Sequence, residues 1–250
     1  VFSAGGTLAK WVRQGHCVVA VCCTSGNLGT LREELGGEEV AAQRRNELLA
    51  ANEVLGIQET EILGFPDGGF MDGSELRKAL IESVRKYRPD RVLTLDPWAR
   101  YEIHPDHFLV GRMAAEAAAF AAFPLLHPEQ LHGDVSPHSP REVWFMGMLG
   151  HAPNRYVDIS DTLHIKIESA LRFEATLGIL AKSYDVSLDP GAITSSQLSH
   201  LRERAADLFR ETGARMGKPA GLEAAEAFYV QRCLPGHFDN QAERMAEMLG

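Results

Sequence analysis

The chain has 250 residues, 45% apolar and 24% charged, and its 34 acids against 25 lysines and arginines give a formal net charge of −9. That balance argues against a nucleic-acid surface and suits a small neutral or cationic substrate. No apolar run reaches the roughly 18–20 residues of a membrane span and no secretory signal is visible, so a cytoplasmic protein without a membrane partner is expected.

The length allows one large α/β domain or two small ones. "SAGGTLAKWVRQGH" has apolar residues at helical spacing and closes on Gly15. "CVVAVCCT" is a continuous apolar run of the kind that fills a strand covered on both faces. "NLGTLREELGGEE" is a polar, glycine-rich loop, and "EEVAAQRRNELLAANEVLGI" is an amphipathic helix ending at Gly56. "TEILGF" is a short strand followed by the turn "PDGGFMDG". "SELRKALIESVRKYRP" is a helix with Ser74 as its N-cap and Pro89 as its stop. "RVLTLD" is a further strand, and "HFLVGRMAAEAAAFAAF" is an alanine-rich helix. In the second half "REVWFMGM", "YVDIS" and "AEAFYVQRCL" read as strands, and "DTLHIKIESALRFEATLGILAKSY" and "SQLSHLRERAADLFRETGARM" as helices. Pro124 to Pro140 is the one long loop.

The alternation of helix and strand predicts an α/β fold, with a doubly wound, mostly parallel, Rossmann-like sheet and helices on both faces. A domain of this class should open with a strand, and none precedes the first helix. Ligands of such sheets bind at the carboxyl ends of the strands. The loops "TSGNLGT", "PDGG" and "PWARYEIHPDH" all follow strands and are expected to share one crevice.

Four cysteines occur, Cys17, Cys22, Cys23 and Cys233, with no Cys-x-x-Cys pair. Buried free thiols are expected rather than a structural zinc knuckle.

The stretch "LDPWARYEIHPDHFLVGRM" carries His104, Asp106 and His107 within four residues, at a strand's carboxyl end. Histidine and carboxylate in such a loop suit a catalytic zinc, which takes three protein ligands and leaves a position for water. A second histidine beside the metal can stabilise an oxyanion or protonate a leaving amine. The same four residues also read as a capping loop, with Asp106 capping the next helix and both histidines in solvent. Trp98 reads as core packing or as a sugar platform. Asp67 reads as a turn residue and Arg44 as part of a solvated helix face. His127, His132, His138 and His151 are spread over loops and read as solvated.

"AGGTLAKWVRQGHCVVAVCCTSGNLGT", "AAQRRNELLAANEVLGI", "LGFPDGG" and "DPWARYEIHPDHFLVGR" together resemble the LmbE-like (PIG-L) family of zinc-dependent de-N-acetylases, in that family's order and spacing. The resemblance is strong over the first 125 residues. "HAPNRYVDIS" and "AEAFYVQRCLPGHF" look most like the diacetylchitobiose deacetylase branch. It implies a single domain over residues 1–250, with motifs in 1–125 and a cleft-completing part in 126–250. It implies removal of an N-acetyl group from a small N-acetylglucosamine-containing molecule, with zinc as cofactor and a homo-oligomer as a compatible state.

By that resemblance His107 is a zinc ligand and His104 is the general acid or oxyanion stabiliser. Asp106 orients a neighbouring histidine. Arg44 and Asp67 bind substrate, Trp98 is a sugar-facing aromatic, and His237 helps line the site. The family's first motif, His-Pro-Asp-Asp, supplies a histidine ligand, an aspartate ligand and the carboxylate base, and it is absent from these 250 residues. The expectation is therefore an N-terminally truncated, inactive chain. The alternatives are a metal-free sugar-binding member of the same fold, or a deacetylase of a thiol-glycoside or glycolipid precursor. A nucleotide-binding domain is disfavoured, because "AGG" and "SGNLG" match a phosphate loop poorly.

Overall fold

The computed structural model describes residues 1–30, 34–147, 150–177 and 195–239. The chain divides into two compact units, the first made of Val1–Asp67 with Tyr156–Glu226 and the second of Gly68–Arg155 with Ala227–Gly250.

In the first unit, helix α1 (Gly5–Arg13) leads into strand β1 (Val19–Thr24), α2 (Gly37–Leu55) and β2 (Glu59–Phe65). β1 and β2 pair in parallel, Val19 with Glu59 through Cys22 with Ile62, and the register then slips to Thr24 with Phe65. β2 carries the extra residue, and Gly64 beside the slip has φ 74°, which suits a glycine bulge. Most of β1 is only half-buried and Cys23 is its one buried residue, so the expectation of a strand covered on both faces is not met. All four thiols are free, but Cys17 is exposed, which corrects the expectation that all are buried. Burial pushes the Cys23 thiol up to about 12 and the Cys233 thiol up to about 11.

α1 starts without a cap from its own N-cap residue, Ala4. Glu226 takes that place from far along the chain. Its Oε1 accepts from Gly6 N at 3.0 Å and its Oε2 from Thr7 N at 2.7 Å, while Lys166 Nζ donates to Oε1 at 2.7 Å. Both charged side chains are almost fully buried, so each needs the other. A Cβ on Gly6 would lie 2.8 Å from the Ile159 side chain, so only glycine lets α1 come this close. Lys166 lies on α5 (Leu163–Ala170), which packs against α1, α2 and α6 (Ser195–Gly217). The single helix expected from Asp161 onward breaks after Ala170, where Phe173 meets Phe2 at 5.5 Å between ring centroids. The part of that expected helix beyond residue 177 lies outside the described residues.

The second unit holds α3 (Gly73–Tyr87), β3 (Arg91–Leu95), α4 (Pro105–Phe120) and β4 (Glu142–Met146). β6 (Ala225–Leu234), but for its first two residues, and β7 (His237–Phe238) come last here, while strand β5 (Arg155–Asp158) lies, but for Arg155, in the first unit. β3 and β4 are parallel, in register from Arg91 with Glu142 to Leu95 with Met146. β6 pairs antiparallel with β4, and β7 folds back antiparallel on β6. This second sheet is therefore mixed: β3–β4 is parallel, as β1–β2 is in the first unit, and β6 runs antiparallel. Ala115, Ala118 and Ala119 of α4 pack on Val143, Phe145, Cys233 and Phe238. A Cβ on Gly111 would lie 2.6 Å from Leu95 O, so this glycine lets α4 cross the end of β3.

Asp72, not Ser74, caps α3, because its Oδ1 accepts from Ser74 N at 2.7 Å. Within α3, Arg85 is fully buried. Its guanidinium donates to Ala121 O, Phe123 O, Leu126 O, His127 O and Gln130 Oε1, all at 2.8–3.1 Å. One cation thus organises the start of the long loop after α4. Among the described residues no helix is long and apolar enough to cross a membrane.

Candidate functional site

The His-Pro-Asp-His loop closes onto the N-terminus of α4. Pro105 occupies the first turn, where its missing N–H costs nothing. His104, rather than Asp106, is the N-cap, and its Nδ1 accepts from Asp106 N at 3.3 Å. Asp106 is buried instead and accepts from Gly68 N at 2.9 Å and Gly69 N at 2.7 Å. Its Oδ2 is also 3.9 Å from His104 Nδ1. The carboxylate therefore ties the Gly-Gly turn to the histidine loop, within the second unit.

The rings of His104 and His107 stack at 4.3 Å, inclined by 14°. His107 Nδ1 lies 3.0 Å from Glu102 Oε2. Glu102 Oε1 accepts from His104 N at 3.0 Å. That amide and then the His107 side chain hold the Glu102 carboxyl below the usual carboxylate range, so it is an anion and an acceptor. His107 must then carry its proton on Nδ1, which leaves the lone pair on Nε2. The opposite holds for His104: its Nδ1 accepts an amide hydrogen, so in the neutral ring Nε2 carries the proton. Two stacked, half-exposed histidines thus present opposite faces of imidazole chemistry, a lone pair from one and an N–H from the other.

Trp98 follows β3 and is 46% exposed. Its N–H donates to Asp96 Oδ1 at 2.9 Å, and its ring meets Phe145 and His151 edge-on, each at 5.7 Å. His237 is exposed on β7, and its Nδ1 lies 3.3 Å from Pro235 O. Among the described residues no hydrogen bond or ring contact joins His237 to His104, His107 or Trp98.

In the first unit Asp67 closes a loop. Its Oδ1 accepts from Gly26 N at 3.0 Å and its Oδ2 from Leu28 N at 3.3 Å, and its own N–H donates to Asn27 Oδ1. Arg44 lies against the same loop: a Cβ on Gly26 would lie 2.9 Å from its Cβ. Its Nη1 donates to Thr176 Oγ1 at 2.7 Å and to Glu47 Oε2 at 3.4 Å, with the guanidinium 5.7 Å from the Phe173 ring centre. The reading of Arg44 as solvated face is thus replaced by a half-buried residue with fixed partners. Its neighbour Arg45 is the exposed one.

A family profile described as "PIG-L: GlcNAc-PI de-N-acetylase" matches residues 1–118. The chain is 37% identical over 171 residues to diacetylchitobiose deacetylase of Thermococcus kodakarensis, covering 68% of this chain and 63% of that protein. It is 32% identical over 161 residues to mycothiol S-conjugate amidase of Streptomyces coelicolor, covering 56% of this chain and 54% of that one. The chain thus spans less than two thirds of either curated relative. Among solved structures, N,N′-diacetylchitobiose deacetylase of Pyrococcus horikoshii superposes with a TM-score of 0.76 at 30% identity, over 94% of this chain and 79% of that one.

The chain belongs to the LmbE-like (PIG-L) family.

For an LmbE-like protein the metal is the first question. His107 offers a suitable nitrogen, set by a carboxylate behind it. Among the described residues, however, no three His, Cys, Asp or Glu side chains lie together as a metal site. The donors present do not fit zinc by themselves.

Sequence reasoning missed three residues of this arrangement. Glu102 sits five residues before His107, and its signal was the short "YEIHPDH" loop itself. Glu47 is nearly buried and also accepts from Ala175 N at 3.0 Å; its signal was the three-residue spacing from Arg44. His151, expected in solvent, is held by Asp96, and nothing local in the sequence pairs residues 55 positions apart.

Proposed function

We propose that this chain is part of a hydrolase that removes the acetyl group from an N-acetylglucosamine-containing small molecule, with a chitobiose-type sugar favoured. The carrying observation is the opposed hydrogen bonding of His104 and His107, whose Nδ1 atoms face a backbone N–H and a carboxylate respectively. In the reaction a water oxygen adds to the acetamide carbonyl carbon, the C–N bond breaks, acetate leaves and the amine takes a proton. His104 donates from Nε2–H to the oxygen that becomes negative in the tetrahedral intermediate, where such a donor acts most strongly. Because Nδ1 is engaged by the Asp106 amide, the neutral ring serves this role without first becoming imidazolium.

His107 is the zinc ligand of this reading, with Glu102 behind it. Zinc binding needs further donors and the reaction needs a carboxylate base. The family resemblance supplies these from a His-Pro-Asp-Asp segment that these 250 residues lack, so the chain as given should release no acetate. Asp106 holds the loop that carries both histidines. Trp98 and His237 are the sugar-contacting residues of the second unit, which also holds His104 and His107. The substrate is a free small molecule in the cytoplasm, with no nucleic-acid or membrane partner. The similarity to mycothiol S-conjugate amidase favours, as the second reading, an amide on a glucosaminyl thiol-glycoside.

The test is acetate release from N,N′-diacetylchitobiose by the chain extended upstream with a strand ending in His-Pro-Asp-Asp, with and without zinc. Zinc-dependent release supports the proposal. Equal release from the unextended chain contradicts the assigned ligands, and no release from a folded, zinc-loaded extended chain contradicts the substrate class.

A further inference from the structure

Outside the His104–His107 pair, the second unit holds another histidine with a carboxylate behind it. Asp96 follows β3 and His151 follows β4, and these strands are parallel, so both residues stand at the carboxyl edge where ligands of α/β sheets bind. Asp96 is buried. It accepts three N–H groups: Trp98 N at 2.9 Å on Oδ1, and on Oδ2 both His151 N at 2.7 Å and His151 Nδ1 at 2.8 Å. Its own N–H continues the β3–β4 ladder by donating to Met146 O at 3.1 Å. The carboxylate therefore fixes the loops after β3 and β4 and sets the His151 tautomer, with the proton on Nδ1 and a lone pair on Nε2.

The imidazole lies flat on Tyr229, with centroids 4.5 Å apart and planes 15° apart. Trp98 meets its edge at 78°. The His151 side chain is about one-third exposed, and among the described residues its Nε2 has no hydrogen-bond partner. A free acceptor of fixed direction thus stands beside a half-exposed indole. Burying the Asp96 carboxylate this way is costly if packing were its only purpose. An aromatic face for the apolar side of a pyranose and an acceptor for one hydroxyl are what a saccharide subsite requires.

We propose that Trp98 and His151 form a saccharide subsite at the carboxyl edge of β3 and β4. A pyranose ring lies on the exposed indole face and donates one hydroxyl to His151 Nε2. Asp96 is a positioning residue that touches no sugar. This inference rests on the amino-sugar reading and adds to it a hydroxyl acceptor, His151, beside the indole.

Titration calorimetry of the chain with N,N′-diacetylchitobiose and, separately, with cellobiose tests it. His151→Phe keeps a ring on Tyr229 and removes both nitrogens; Trp98→Ala removes the platform and its edge contact with Phe145. Thermal unfolding confirms that each variant is folded. Loss of one neutral hydrogen bond should weaken diacetylchitobiose binding by about three- to tenfold in His151→Phe. Trp98→Ala should weaken it at least as much. Unchanged affinity in both variants, or no binding of either sugar by the parent chain, overturns the subsite. Cellobiose binding that both variants weaken, with no binding of diacetylchitobiose, supports the subsite and contradicts the amino-sugar reading. Diacetylchitobiose binding that neither variant weakens overturns the subsite and leaves that reading standing.

Discussion

Asp106→Ala should loosen the histidine loop by a predictable amount. The carboxylate is buried and accepts two backbone amides, Gly68 N at 2.9 Å and Gly69 N at 2.7 Å. Hydrogen bonds to a charged group contribute about 1.5–3 kcal/mol each, so two give an upper bound of about 3–6 kcal/mol. Two effects reduce it. Burying the carboxylate already costs free energy, and Gly68 and Gly69 are exposed, so water can satisfy their amides once the carboxylate is gone. A net loss of about 2–3 kcal/mol remains for Asp106→Ala. Asp106→Asn keeps one carbonyl oxygen for one amide and turns an NH2 toward the other, so it should cost about 1–2 kcal/mol. The assay is urea unfolding at constant slope, comparing midpoints of the parent and both variants. A loss below about 0.5 kcal/mol in Asp106→Ala, which is the range of ordinary surface substitutions, would refute the role assigned to this carboxylate.

The first unit gives a second test. Glu226→Gln leaves Lys166 buried without a counter-charge and should cost about 3–5 kcal/mol, whereas Lys166→Met combined with Glu226→Gln should recover part of that loss; a double-variant loss equal to the sum of the Glu226→Gln and Lys166→Met losses would show that the pair is not coupled. Thiol labelling of the folded protein should modify Cys17 first, with Cys23 and Cys233 protected until unfolding, as read by peptide mass. Because burial raises these two thiols to about 12 and about 11, the folded chain keeps protons that the unfolded chain releases near pH 9. Stability should therefore fall as pH rises above about 9, and flat stability from pH 9 to 11 would count against this burial. Nitrogen NMR should find His107 protonated on Nδ1 and His104 on Nε2 near neutral pH, and Glu102→Gln should weaken that preference at His107 alone.

Much of the first 120 residues is legible from pattern. The runs that became β1, β2 and β3 are short, apolar and bounded by turn residues, and α2 and α3 show helical spacing with stops at Gly56 and Pro89 respectively. The position of His104 and His107 followed from strand ends, since a loop after a parallel strand has nowhere else to open. What the sequence hides is pairing at a distance. The direction of β6 against β4 depends on register across some 85 residues, and apolar runs carry no polarity. Glu226 capping α1, Lys166 neutralising Glu226, and Asp96 holding His151 each join residues 55 to 220 positions apart. Nothing in the helical pattern of α3 singles out Arg85, because its five acceptors belong to the loop after another helix. The cap of α4 was misassigned for a local reason: Asp is the commoner N-cap, but the buried carboxylate of Asp106 serves the Gly-Gly turn and His104 caps in its place.

The most direct test of the account separates the two stacked histidines in the chain extended with the His-Pro-Asp-Asp strand. Zinc content by elemental analysis and acetate release are measured on His107→Ala and His104→Ala. His107→Ala removes the ring whose Nδ1 faces Glu102, and its zinc and activity should fall together. His104→Ala removes an N–H donor and should keep its zinc, while kcat falls by about 10²–10³-fold, the range for loss of one oxyanion donor. Equal loss of zinc in both variants would make His104 a ligand and contradict the division of roles drawn from their hydrogen bonds.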